Sequence, residues 1–85
     1  MIPETVYNCL PRDERDRLEA IISYIDHSDS EVIYEMELLE MLIGKRIIFN
    51  RKLLRNSLFL LQRYCPDKYR KVKLDPSLEP RNETE

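Results

Sequence analysis

The sequence predicts an all-α protein, a compact bundle of five to six short helices. Three observations predict it. Apolar residues recur at i, i+3, i+4, i+7, the spacing of one helix face. One glycine, Gly44, stands among 85 residues, too few turn-formers for a loop-rich β fold. Apolar residues make up 42% of the chain, enough for one core, and this length suits one small domain.

Pro3 to Leu10 read as two short helical turns, with Val6 and Leu10 four apart on one face. Pro11 breaks or restarts the helix, since a first turn tolerates a missing N–H. Asp13, Glu14 and Asp16 then suit the positive end of a helix dipole. Leu18, Ile21, Ile22 and Ile25 define an amphipathic helix of about four turns. Asp26 to Ser30 form a polar break. Ser28-x-x-Glu31 matches a capping box there, with Asp29 and Ser30 as alternative caps. The next helix is expected to reach about Ile43, its face lined by Val32, Met36, Leu39 and Ile43 and widened by Ile33, Leu38 and Leu42. Gly44 is the expected left-handed residue past its end.

Lys45 to Phe49 read as a connector whose apolar Ile47, Ile48 and Phe49 plug the core. Asn50 is a natural N-cap for a helix from Arg51 to about Tyr64, with Leu53, Leu54, Leu58, Leu60 and Leu61 turned inward or at a contact. Pro66 can open a last short basic helix over Asp67 to Val72. The domain is expected to span residues 1–73, followed by a disordered acidic tail, 74–85, rich in proline and charge.

Charge sorts by position. Residues 1–43 hold three Lys/Arg and eleven Asp/Glu; residues 44–73 hold ten Lys/Arg and one acid, Asp67. The net charge of −2 hides this polarity, which speaks of partners more than of fold. It suits an acidic partner, oriented self-association or phosphate. No apolar run approaches a membrane span, and no basic start precedes an apolar stretch as in a secretory signal. Two cysteines far apart, Cys9 and Cys65, then suggest a reduced, cytoplasmic protein without a disulfide.

The motifs of catalysis do not assemble, so no enzyme activity, cofactor, metal or small-molecule substrate is expected. His27 is the lone histidine, in a polar loop without convergent ligands. The cysteines lack CxxC spacing and a catalytic partner, and one glycine cannot build a phosphate loop. Glu31, Glu35, Glu37 and Glu40 read as a solvated helix face. Nucleic acid is the less favoured ligand. A helix, a turn at Gly44 and a basic helix with Arg51, Lys52, Arg55 and Asn56 follow helix-turn-helix order. The connector, however, is about six residues long and apolar, and the preceding acidic helix would repel phosphate.

The run EMLIGKRIIFNRKLLRNSLFLLQRYCPD, residues 40–67, resembles the second half of death-effector domains. Leu42, Lys45-Arg46, Ile47-Ile48, Leu53, Leu60-Leu61 and Asp67 fall in that family's order without gaps. Leu10, the charged segment Arg12 to Asp16 and Leu18…Ile21-Ile22 resemble its passage from first to second helix, so the likeness covers roughly residues 3–73. It implies homotypic association that assembles, or blocks, initiator caspases and their adaptor. The family's exposed second-helix patch falls at Ala20 and Ile21. Its charge motif leaves Glu14 or Asp16 and Asp67, with Cys65 at the arginine position and Lys68 at the leucine position. An acidic face of Glu35, Glu37 and Glu40 is expected to meet a partner's basic face of Lys45, Arg46, Arg51, Lys52 and Arg55. A second likeness, through Leu54-Arg-Asn-Ser-Leu58 and Arg63-Tyr-Cys-Pro-Asp67, is to small bacterial biofilm-development regulators of the YmgB/AriR type. It implies a dimerising regulator that modulates a transcription regulator or binds DNA.

Overall fold

Proline punctuation sets the first two helices. The structure is a computed structural model that describes residues 2–47 and 50–74. Helix α1 (Glu4–Cys9) ends at Leu10, whose extended backbone precedes Pro11, as the ring of a following proline requires. Pro11 caps α2 (Arg12–His27), and Asp13 and Glu14 occupy its first turn. Leu18, Ile21 and Ile25 of α2 are buried as its periodicity predicts.

The expected capping box at Ser28 does not form. Ser28 instead ends α2: its N–H donates to the Ile25 carbonyl, and its Oγ accepts the N–H of Ser30, each at 3.2 Å. The chain then runs extended into strand β1 (Ile33–Tyr34), and only afterwards enters α3 (Glu35–Gly44). β-Branched and aromatic residues at 32–34 favour extended backbone, and a partner strand captures it. Strand β2 (Val72–Lys73) pairs with β1 in parallel, Ile33 opposite Val72 and Tyr34 opposite Lys73.

The late start turns the apolar face of α3. Leu38, Leu39 and Leu42 enter the core together with Ile33. Of the expected stripe Val32, Met36, Leu39 and Ile43, only Leu39 is buried; the other three are exposed. The left-handed residue also moves. Gly44 is the last residue of α3 and has no positive φ; Arg46 takes φ 59°. The Ile47 N–H donates to the Leu42 carbonyl and the Arg46 N–H to that of Ile43, each at 3.0 Å. These two bonds form a Schellman motif with arginine at the left-handed position.

Asn50 caps α4 (Arg51–Tyr64) as expected, its Oδ1 accepting the Leu53 N–H at 2.8 Å. Leu54, Leu58 and Leu61 are buried; Leu53 and Leu60 are half-buried. Pro66 opens α5 (Pro66–Tyr69), which lasts one turn before the chain enters β2. The expected helix through Val72 is therefore cut short, because Val72 is taken by the strand pair. Leu74, expected to begin the tail, packs half-buried against the core. Ile48 and Phe49 of the connector and residues 75–85 of the expected tail lie outside the described residues. The architecture is a small all-α bundle in which α2 packs on α3 and α4, α4 carries α5, and β1 with β2 ties the middle of the chain to its end.

Candidate functional site

Two charged side chains lie where apolar ones would be expected. Glu35, the first residue of α3, is 0% exposed, yet the sequence reading put it on an outer acidic face. The Arg55 guanidinium meets it bidentately: Nε donates to Oε2 at 2.7 Å and Nη2 to Oε1 at 2.9 Å. This opposed pair, expected to face a partner, closes within one chain. Its planar fork geometry suits a carboxylate better than a lysine would. Arg17 of α2 is the second buried charge. Its Nε donates to Ser57 Oγ of α4 at 3.1 Å, and its Nη2 stands 3.9 Å from Glu14 one turn earlier.

The remaining expected site residues divide. Glu37 is drawn inward: its Oε2 accepts the Tyr34 N–H at 3.2 Å and its Oε1 accepts the Tyr24 hydroxyl at 3.0 Å. The second bond fixes α2 against α3 and pushes the Tyr24 phenol pKa upward, burial and the nearby Glu40 charge adding to the effect. Glu40 alone of the acidic trio remains on the outside. Lys45 and Arg46 are exposed at the end of α3, and Arg51 and Lys52 at the start of α4.

Ala20 and Ile21 do not form a patch. They are 9% and 0% exposed, because the spacing that would present them is the spacing that buries α2. Nor does the charge motif converge. Glu14 meets Arg17, Asp67 of α5 meets Arg70 just past the helix end at 3.3 Å, and Asp16 stays exposed. A further ion pair, Lys68 with Asp26, joins α5 to the end of α2.

What sequence reasoning missed on the basic outer side of α4 is Phe59. Lys52, Asn56, Phe59 and Arg63 follow one another at helical spacing, and all four are exposed. Phe59 is 63% exposed, and α4 contains no acid. The signal was legible: these residues lie opposite Leu54, Leu58 and Leu61 on a helix whose other side must be wet. The other large exposed apolar residues among those described are Val32, Tyr34, Met36 and Ile43.

His27 is tied to its own helix, its Nδ1 lying 2.8 Å from the Ser23 carbonyl oxygen, where a protonated Nδ1 donates. It lines an open hollow of about 380 Å³ with Ser23, Tyr24, Ser28 and Lys45. Cys9 and Cys65 are both free thiols, the first exposed and the second buried. Among the described residues, no cluster of three or more His, Cys, Asp or Glu could hold a metal, and no helix is long and apolar enough to cross a membrane. No family model, curated protein or solved structure matches the chain.

Proposed function

We propose that this chain is a non-enzymatic protein–protein interaction module. The observation that carries this reading is the outer face of α4, free of acid, with Phe59 exposed among Lys52, Asn56 and Arg63. An exposed aromatic ringed by cations is the composition of a binding surface, in which the ring supplies buried area and the charges set orientation. The resemblance of residues 3–73 to death-effector domains gives the reading its specific form: association with helical domains of that type, regulating caspase and adaptor assembly in the cytoplasm. With Ala20 and Ile21 in the core, the contact falls to α4 rather than to the second helix.

A second reading has its own observation. The sequence α3, turn, α4 has helix-turn-helix order, and an acid-free α4 carrying Lys52, Asn56 and Arg63 offers groups that contact phosphate and base edges. It makes the chain a small DNA-binding or regulator-modulating protein of the biofilm type.

A paired titration over increasing salt separates the two. One arm offers a purified death-effector-domain protein, the other a random DNA duplex. Salt-sensitive binding in the protein arm alone is the expected result. Tight duplex binding with a steep salt slope, and silence in the protein arm, would overturn it in favour of the regulator.

A further inference from the structure

Between α1, α2 and the start of α5 lies a hollow of about 410 Å³, lined by Ile2, Tyr7, Ile22, Asp26, Cys65 and Lys68. Its walls are held by contacts across the elements. Ile2 and Ile22 pack half-buried against the core, of which Cys65 is a member. Tyr7 is held to α2 by Arg15, whose guanidinium stands 5.8 Å from the ring centroid. The Lys68–Asp26 ion pair ties α5 to α2. Ile22 and Asp26 are one turn apart on α2. Cys65 and Lys68 are three apart at the start of α5, where the Lys68 N–H donates to the Cys65 carbonyl at 3.0 Å. Each of these two elements thus offers one apolar and one charged side chain. Burial orders them: Cys65 is 7% exposed, whereas the side chains of Lys68 and Asp26 are 34% and 46% exposed. The thiol therefore lies at the apolar end, and the ion pair at the mouth.

We infer that this hollow binds a small uncharged molecule with an apolar chain and one carbonyl-type acceptor. Its volume falls in the range of small-molecule sites, roughly 300–1,000 Å³, and its make-up matches theirs, an aliphatic and aromatic lining with a few polar groups at one edge. The hollows beside His27 and beside Arg12 are lined chiefly by polar and charged side chains. The ion pair selects the head group. The Lys68 ammonium carries N–H donors beyond the one that Asp26 Oδ1 accepts. An acceptor on the ligand takes another of them without breaking the pair. A carboxylate head would be repelled by Asp26 and an ammonium head by Lys68, and either charge would lose water against the apolar wall. A neutral carbonyl avoids each of these penalties. None of Lys52, Asn56, Phe59 and Arg63 lines the hollow, so the site stands apart from the binding face proposed for α4.

The test uses the full chain and three probes of matched chain length that differ in the head: hexyl methyl ketone, octanoate and octylammonium. Binding is read from shifts of the Ile2 and Ile22 methyl resonances and from the rise in melting temperature as probe is added. The ketone is expected to bind at least about tenfold more tightly than either charged twin. Ile2→Ala removes part of the wall near the chain start and should weaken the ketone by about fivefold or more. Lys68→Met removes the donor and leaves Asp26 at the mouth, so octylammonium should then bind more tightly than the ketone. Ile43→Ala, on the exposed side of α3, should leave affinity unchanged. Circular dichroism of each variant without probe checks that it is folded. Equal binding of the three probes, shifts at Ile43 in place of Ile2 and Ile22, or no saturable binding of the ketone up to its solubility would overturn the site. A folded Lys68→Met protein that keeps the original order of the three probes would overturn the choice of a neutral acceptor, and the proposal with it.

Discussion

Gly44 and Arg46 occupy each other's natural places. Gly44 lies inside a helix turn without a positive φ, and a Cβ built on it meets nothing within 4 Å. Gly44→Ala should therefore stabilise the fold by about 0.5–1 kcal/mol, through helix propensity and a less flexible unfolded chain. Arg46 holds φ 59°, so Arg46→Gly should gain about 0.5–1 kcal/mol by relieving left-handed strain. Either gain should raise the melting temperature by a few degrees; a fall on Gly44→Ala would place the helix end elsewhere. The buried pair makes a larger claim. Arg55→Ala leaves the Glu35 carboxylate without its bidentate donor and should cost about 3 kcal/mol or more in chemical denaturation. Replacing both residues by well-packed apolar ones should recover most of that loss. Tyr24 supplies a pH test. Its bond to Glu37 holds the folded phenol protonated above the ordinary 10.0. The extra stability is thus complete below that pH and lost as pH rises through the raised folded value. Tyr24→Phe should flatten the alkaline fall of the denaturation midpoint, and identical slopes in both proteins would deny the shift. The buried charges were legible in part. Arg17 stands four residues before Ile21 and Glu35 four before Leu39, each on the buried stripe, where a charge foretells a partner.

Local chemistry announces helices α1, α2 and α4. Proline at 11, asparagine at 50 and unbroken apolar periodicity act within a few residues, and each works where it was expected. Helix α3 was harder to read because its start is set from far away. Ile33 pairs with Val72, thirty-nine residues on, so the register of β1 depends on a segment that no local window contains. Val32 and Met36 look like core at helical spacing, and in a helix begun at the polar break they would be core. Two substitutions separate these registers. Ile33 is 0% exposed, and Ile33→Ala should cost about 2–5 kcal/mol. Val32 is exposed, and Val32→Ala should change stability by no more than about 0.5 kcal/mol. The reverse order would restore the earlier helix start. The same misplacement hid two exposed apolar side chains of α3, Met36 and Ile43, which helical spacing assigns to the interior. The basic outer side of α4 is read from the charge count, and Phe59 falls on it, opposite Leu54, Leu58 and Leu61.

At the scale of the molecule, the charge polarity of the sequence is partly consumed by folding. Glu35 with Arg55 and Asp26 with Lys68 each join the acidic first half to the basic second half, within one chain. What remains for a partner is the unbalanced surplus on α4 and the end of α3. This changes which charge reversal is informative. Reversing Arg51 and Arg55, two residues of the basic face that the sequence suggests, removes the partner of a buried carboxylate and should unfold the domain as readily as it abolishes binding. Reversing Lys52 and Arg63 touches two exposed side chains and spares the bridge. The Lys52→Glu, Arg63→Glu protein should keep its melting temperature within a few degrees and lose partner binding. Salt should act with the same selectivity. At a Debye length of about 10 Å in 0.1 M salt, exposed rim charges are screened strongly and the buried bridge little. Raising salt should therefore weaken association steeply while thermal stability hardly moves. Parallel loss of both would show that the bridge, not the surface, carries the salt dependence, and that the polarity of this chain serves its fold rather than its partner.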